Sequence, residues 1–337
     1  MQTHHRPPPL RFSERASTAA SSRAAPRVTV IVMTREQPQG LAGVLQQLRQ
    51  LPDQPRLIVL DNASCHAAAV AQVARLHGAD LVRCEHHLGT SAFNQVVARV
   101  TTPHVAFCDA STWWSDGALK RACDILDEFP HIGAINGRVL VGSNEDEHDC
   151  CTRMQHSTLD NAGLPGPALL SFMSNAVVIR TRAFRHAGGY EPQAFCGAED
   201  ALIGLSLAAL GWRMVYVQDV TLHQLSCTRA KAPPSPIFIL RNRLWVAWLR
   251  LPWRDAWRET RAVLSDAWQA GQLWPVLWRS LQPFSWLLLN RRAVPDLVAE
   301  MHRTASSSAA TSDPARAPSR PLPKQSPGRP TNNMPSC

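Results

Sequence analysis

No stretch of this sequence reaches the ~20 uncharged apolar residues needed to span a bilayer. The longest candidate, around Pro283–Leu289, is far too short. The nine cysteines are odd in number and include no C-x-x-C pair, and Cys150 and Cys151 are adjacent, which suits neither an ordinary disulfide nor a zinc site. The expectation is free thiols in a reducing cytosol. No helix-turn-helix, zinc-finger or RNP signature is present, which argues against a nucleic-acid partner. The apolar core of a secretory signal is missing from the N-terminal segment, which is expected to be a disordered leader. No G-x-G-x-x-G follows the first apolar run, Val28–Met33, which disfavours a dinucleotide-dependent dehydrogenase.

What is present is a chain of 337 residues with 45% hydrophobic content, enough for a substantial core in one large domain or two small ones. The net charge of +9 is uneven: residues 1–27 carry +4 and residues 302–337 another +4, leaving about +1 for the middle. The basicity belongs to the ends and favours, weakly, contact with anionic lipid or another acidic polymer.

Four segments follow from pattern: 1–26, polar and aperiodic; 27–235, alternating strand and helix patterns; 236–301, rich in Trp and Arg; and 302–337, a Ser/Pro/Arg tail expected to be disordered. Val28–Met33, Leu57–Leu60 and Val105–Cys108 read as buried strands, and Leu41, Val44, Leu45 and Leu48 recur at helical spacing between the first two. This alternation predicts an α/β fold with a parallel, doubly wound sheet, whose ligand lies beyond the carboxyl ends of the strands. Asp61 and Asp109 stand at two of those ends. Residues 142–168 read as an irregular loop over the site and Leu169–Ile179 as an apolar strand.

Each candidate residue has a structural and a chemical reading. Asp61 either caps a turn or accepts hydrogen bonds from a ribose diol or base N–H. Asp109, in Phe107-Cys108-Asp109-Ala110-Ser111-Thr112-Trp113-Trp114, either caps a turn or helps hold a divalent cation against a diphosphate. Glu199 and Asp200 suit a helix N-terminus, and equally a general base acting on an acceptor hydroxyl. His223, after the last strand, is either structural or a metal ligand.

In order, these segments resemble the family 2 glycosyltransferases, which have the Rossmann-like GT-A fold, from about Val28 to about Pro252. Val28-Thr29-Val30-Ile31-Val32-Met33-Thr34-Arg35 resembles the family's first strand, whose tip, here Thr34 and Arg35, touches the nucleotide. Asp61-Asn62-Ala63-Ser64 resembles D-N-x-S, and His87-Leu88-Gly89-Thr90-Ser91-Ala92-Phe93-Asn94 resembles N-L-G-x-x-x-R-N. The Phe107–Trp114 run resembles F-x-D-D-D-x-W-W. Ala198-Glu199-Asp200, followed by Gly211-Trp212-Arg213, resembles the acidic motif and its G-W segment. His223-Gln224-Leu225-Ser226 resembles H-H-P-S, and Arg241-Asn242-Arg243-Leu244-Trp245 a segment common at the end of such domains.

The resemblance makes 27–235 the transferase domain, 27–115 its nucleotide-binding half and 116–235 its acceptor half. It implies a hexosyl- or deoxyhexosyl-transferase that inverts configuration in one displacement, serving cell-surface polysaccharide or glycolipid synthesis. Asp200 is then the base with Glu199 beside it. Thr34, Arg35, Asp61, Asn62, Asn94, Asp109 and Ser111 bind the nucleotide-diphospho-sugar donor, and Asp109 and His223 hold Mg²⁺ or Mn²⁺. Three departures stand out. Ala110 and Ser111 replace two acids, Phe93 replaces an Arg, and His87 replaces an Asn. A neutral hydroxyl is a poor ligand for a hard dication. The chain is therefore either a transferase with weakened metal dependence or a catalytically impaired relative that binds a sugar nucleotide or a partner without turnover.

Segment 236–301 has two readings of its own. Trp and Arg on amphipathic helices suit peripheral contact with the inner face of the cell membrane, where a cytoplasmic enzyme would meet a lipid-linked acceptor; a saccharide acceptor needs no such contact. The other reading is a helical cap packed on the transferase domain.

Overall fold

The computed structural model describes residues 25–194, 197–226, 235–282 and 284–312. The leader expected over 1–26 falls almost wholly outside these residues, as does the tail beyond Ser312.

One sheet organises the chain. Its strands are β1 (Val28–Thr34), β2 (Arg56–Asp61), β3 (Asp80–Arg83), β4 (His104–Asp109), β5 (Thr112–Trp114), β6 (Ile132–Val141), β7 (Asp146–Glu147), β8 (Ala168–Leu169), β9 (Val177–Arg180) and β10 (Arg213–Gln224). The order is β3-β2-β1-β4-β9-β6-β10-β5, with β7 beside β6 and β8 beside β10. Val30, Ile31 and Val32 are fully buried because helices cover both faces, which is why β1 reads as an unbroken apolar run. Burying each such side chain contributes roughly 1.5–3 kcal/mol.

The sheet is not the all-parallel, doubly wound type expected, although β6 and β10 also run parallel to each other and in the direction of β4. β3, β2, β1 and β4 are parallel, but β9 runs antiparallel to both β4 and β6, and β5 runs antiparallel to β10. The sheet is therefore mixed. The apolar stretch 169–179 is not one strand: β8 pairs with β10, the chain then turns through 173–176, and β9 inserts between β4 and β6.

Helices α1 (Pro38–Gln50), α2 (Ala67–Leu76), α3 (Ala92–Val97), α4 (Ala118–Glu128), α5 (Asp149–Gln155), α6 (Thr181–His186) and α7 (Glu199–Ala209) complete the α/β domain. α1 starts with Pro38, buries Leu41, Val44, Leu45 and Leu48 as its spacing predicts, and presses its first turn on the loop after β4. A β-carbon on Gly40 would stand 2.5 Å from the Ala110 carbonyl oxygen. Segment 142–168 is not the wholly irregular stretch expected; its start lies at the end of β10, where the Gly142 N–H donates to the Gln224 carbonyl at 2.9 Å. It holds β7 and α5, buries Cys151 under the Val139 N–H (3.3 Å), and runs beside β10 to its far end, where Arg213 donates to the Asp160 carbonyl (2.6 Å).

Beyond the sheet lie α8 (Pro236–Arg250), α9 (Trp253–Gln269), α10 (Leu273–Leu281), α11 (Phe284–Leu289) and α12 (Asp296–Ser312). Leu240, Leu244, Val263, Ala267 and Val276 form a small core of their own, while Trp245, Val246 and Leu249 join the main one. α12 passes residue 301, where the helical region was expected to end, because Val298 and Ala299 anchor it in the main core and an Ala/Ser-rich stretch extends it.

The Trp residues divide between the two readings. Trp245 and Trp286 pack edge to face at 5.8 Å, and Trp248 meets Trp253 and Trp257 at 5.5 and 5.2 Å. Trp268, Trp274 and Trp278 stand out at 74%, 78% and 71% exposure. Among the described residues no helix is long and apolar enough to cross a membrane.

The position of α7 depends on one close approach. A β-carbon on Gly204 would lie 2.1 Å from the Leu170 carbonyl oxygen. Gly204→Ala should force α7 away from the 170–171 segment and destabilise the domain by about 1–3 kcal/mol, read as a lower urea midpoint. An unchanged midpoint would refute this contact.

Candidate active site

The carboxyl ends of β2, β1 and β4 lie side by side, with Thr34 opposite Asp61 and Met33 opposite Asp109. Strand spacing puts the Asp61 and Asp109 backbones about 10 Å apart, one on each side of β1. Asp61 is 1% exposed, and its two oxygens do different things. Oδ1 accepts from the Ser64 N–H at 2.9 Å, which is the turn-capping role. Oδ2 is buried without a hydrogen-bond partner, with Arg83 Nε 3.8 Å away. The Thr34 hydroxyl next to it is buried and unpartnered too. Two orphaned polar atoms at adjacent strand tips are costly unless a ligand's polar groups meet them.

Arg35 extends from the same tip. It is exposed, makes no hydrogen bond or ion pair among the described residues, and is close enough to His87 to help lower that residue's pKa, after burial. Two other expected donor contacts are framework groups. The Asn62 amide donates to the Gly89 carbonyl (3.0 Å) and accepts from the Leu88 N–H (2.8 Å), so it holds the 88–89 turn. The Asn94 amide donates to the Tyr190 carbonyl (2.8 Å) and accepts from the Tyr190 N–H (2.9 Å), tying α3 to the loop after α6. Phe93 faces inward and stacks on Phe107 at 4.1 Å, so the chain has aromatic core where the resemblance implies an Arg.

Asp109 closes its own turn. Its Oδ1 accepts from the Ser111 N–H (2.9 Å) and hydroxyl (2.6 Å), and its Oδ2 from the Asn175 amide (3.2 Å). Ser111 thus donates to the carboxylate instead of joining it as an acceptor. β5 then pairs with the end of β10, and Leu225 N–H donates to the Ser111 carbonyl at 2.9 Å. That pairing stacks His223 on Trp113 at 5.5 Å, with His223 Nδ1 3.7 Å from Glu145 Oε1. These donors do not fit a divalent cation at Asp109 and His223. The carboxylate is already satisfied, the second position is a donor, and the imidazole is engaged elsewhere. Among the described residues no group of three or more His, Cys, Asp or Glu side chains is arranged to hold a metal ion.

Asp200 sits in the first turn of α7. Its Oδ2 accepts from the Ser174 N–H at 3.4 Å, and its Oδ1 is buried with no hydrogen-bond partner among the described residues. The buried Tyr190 hydroxyl lies close enough to the carboxyl to oppose part of the burial that raises its pKa. Glu199, also buried, accepts from the Gly197 N–H. Ser174 and Asn175 are consecutive, so one turn binds Asp200 through its backbone and Asp109 through a side chain. Sequence reading missed both residues; their one signal is a polar pair interrupting an apolar run.

The sequence model of the family described as "Glycosyltransferase like family 2" matches residues 20–248. A comparison with curated protein sequences finds no match. Among solved structures, S. aureus TarS 1-349 in complex with UDP-GlcNAc is 15% identical with a TM-score of 0.53, over 66% of this chain and 65% of that one. The same fragment with UDP gives 15%, 0.51, 66% and 64%. The mannosyltransferase PcManGT from Pyrobaculum calidifontis, in complex with GDP-Man and Mn²⁺, is 19% identical with a TM-score of 0.49, over 89% and 80%. This chain thus spans just under two-thirds of the TarS fragment, and 39% of the longer TarS chain.

Burial first, and then the charge of Glu199, pushes the Asp200 carboxyl up to about 7. The folded chain therefore holds this proton more tightly than the unfolded one. The resulting stability is present below about pH 4 and lost as pH rises through about 7, a cost at pH 8 of about 4 kcal/mol at most. Asp200→Asn should raise the melting temperature by several degrees at pH 8 and leave it unchanged at pH 4. Equal melting temperatures at pH 8 would show that the carboxylate is not held against its preference.

Proposed function

Because the chain belongs to the glycosyltransferase-like family 2, we propose that it transfers a hexosyl or deoxyhexosyl group from a nucleotide-diphosphate donor to an acceptor hydroxyl with inversion. Cell-surface polysaccharide or glycolipid synthesis is the setting that fits such a reaction. In the step, Asp200 takes the acceptor's hydroxyl proton as the oxygen bonds to the anomeric carbon. The bond from that carbon to the diphosphate breaks on the opposite side, and its electron pair leaves with the diphosphate. A carboxyl near 7 is matched to this work at neutral pH, because it is half ionised and still basic. Thr34 and Asp61 receive the nucleoside, and Arg35 brings a cation without a carboxylate partner to the diphosphate.

The observation that carries this reading is the Ser174–Asn175 turn, which binds the donor-side and acceptor-side carboxyls through neighbouring residues. No step is assigned to a metal, since Ser111 occupies Asp109 as a donor. That bond also favours a second reading, a relative that binds a sugar nucleotide or a partner without turnover. One assay separates the two. Donor hydrolysis should persist in EDTA and fall by about 10²–10³ in Asp200→Asn, while donor binding stays within a few-fold. Binding without hydrolysis supports the second reading, and hydrolysis only with Mn²⁺ returns Asp109 and His223 to metal binding.

The exposed Trp268, Trp274 and Trp278 support peripheral attachment to the inner face of the membrane, and with it a lipid-linked rather than a free saccharide acceptor. Replacing all three with Ser should abolish flotation of the full chain with anionic liposomes and spare donor hydrolysis. Undiminished flotation would leave the Trp without this role.

A further inference from the structure

Helix α8 links the site to a cavity in the helical region. The cavity has a volume of about 130 Å³ and lies between α8, α9, α10 and α11. Its wall is almost wholly apolar: Leu244, Trp245, Trp248, Leu264, Leu277 and Leu287. A mostly apolar cavity of this size has room for a small hydrocarbon, as an engineered cavity of roughly 150 Å³ takes benzene. Leu281 and Leu288, also in the lining, are 58% and 48% exposed, so the cavity meets the surface on the side of Trp278. Thr260, Ser280 and Arg291 interrupt the lining: the Thr260 hydroxyl accepts from Trp248 Nε1 at 3.0 Å, Arg291 donates to the Trp248 and Leu251 carbonyls, and the buried Ser280 hydroxyl has no hydrogen-bond partner among the described residues.

A second cation, Arg241, packs on a residue of the cavity wall. The Arg241 guanidinium lies 4.2 Å over the ring of Trp245, which is part of the wall, and donates to Asn242 Oδ1 at 2.7 Å. Asn242 Nδ2 is 3.6 Å from where a β-carbon on Gly197 would stand, and Gly197 opens the turn leading to Glu199 and Asp200. From Asn242 to Trp245 the helix rises only about 5 Å. A molecule with an apolar tail and an anionic head would find the two halves of its site along one helix.

We propose that the cavity seats part of the hydrocarbon chain of a lipid phosphate, with Arg241 beside the phosphate and the headgroup directed toward Asp200. The lipid site stands on the cavity and Arg241 alone; its use as an acceptor site rests on the transfer reading above. Trp245 and Trp248 make occupancy visible as a change in intrinsic fluorescence.

The test titrates the full-length protein with farnesyl phosphate below its micellar concentration, with dodecyl phosphate, farnesol and inorganic phosphate as further arms. The expected result is saturable binding of farnesyl or dodecyl phosphate, the tighter of the two identifying an isoprenoid or an acyl chain. Farnesol should bind about tenfold less tightly and inorganic phosphate not at all. Leu277→Phe narrows the cavity from α10 and Leu264→Phe from α9. Either should weaken farnesyl phosphate by about tenfold while the melting temperature and nucleoside diphosphate binding hold. Arg241→Gln should erase the preference for the phosphate over the alcohol. No saturable binding, or binding untouched by both narrowing variants, overturns the proposal. Lipid phosphate binding in a chain that binds no nucleoside diphosphate would keep this site and sink the transfer reading instead.

Discussion

A single turn, residues 173–176, fixes the relation between the two halves of the molecule. Met173 N–H donates to the buried Asn136 amide (2.7 Å), the Ser174 N–H holds Asp200, and the Asn175 side chain holds Asp109. Asn136 lies on β6, Asp109 ends β4 and Asp200 starts α7, so the turn gathers three elements that the chain reaches far apart in sequence. The insertion of β9 between β4 and β6 is what brings the turn there. The mixed sheet is thus the means by which an acid from the second half comes to face the strand ends of the first.

The two carboxyls met by this turn are treated in opposite ways. Asp109 is saturated by a serine and an asparagine and is quiet. Asp200 is more sparsely met: one long hydrogen bond from the Ser174 N–H, the Tyr190 hydroxyl nearby and a glutamate for a neighbour. A carboxylate left short of donors in a dry site is poised to take a proton, and the fold bears the cost of keeping it so. The contrast supports giving Asp200, not Asp109, the base's part in the proposed transfer.

Much of this was legible in the sequence. β1, β2 and β4 read as buried strands because they are unbroken apolar runs, α1 because four residues keep helical spacing, and the acids at their ends because strand tips form the binding edge. The family resemblance carried by short ordered motifs is borne out by the match over 20–248. The roles of Asn62 and Asn94 were not legible, since an amide that clasps a backbone and one that faces a ligand look alike in sequence. Ser174 and Asn175 were hidden within apolar neighbours. No periodicity announces that a strand will enter a sheet backwards, so the apolar run 169–179 was read as a strand but the reversed direction of β9 and its break from β8 were missed. The Trp residues looked alike in the sequence too, and only packing sorts Trp245 and Trp248 from Trp274 and Trp278.

The closeness of Gly40 to Ala110 limits how this loop can change over evolutionary time. Ala110 is 2% exposed, and its carbonyl bears on the first turn of α1. An acid introduced at 110 would be driven into the contact between that helix and the loop, with no water to solvate it. Position 111 is freer, being half-buried on the cleft side. A second acid could therefore enter this loop at position 111 more readily than at 110.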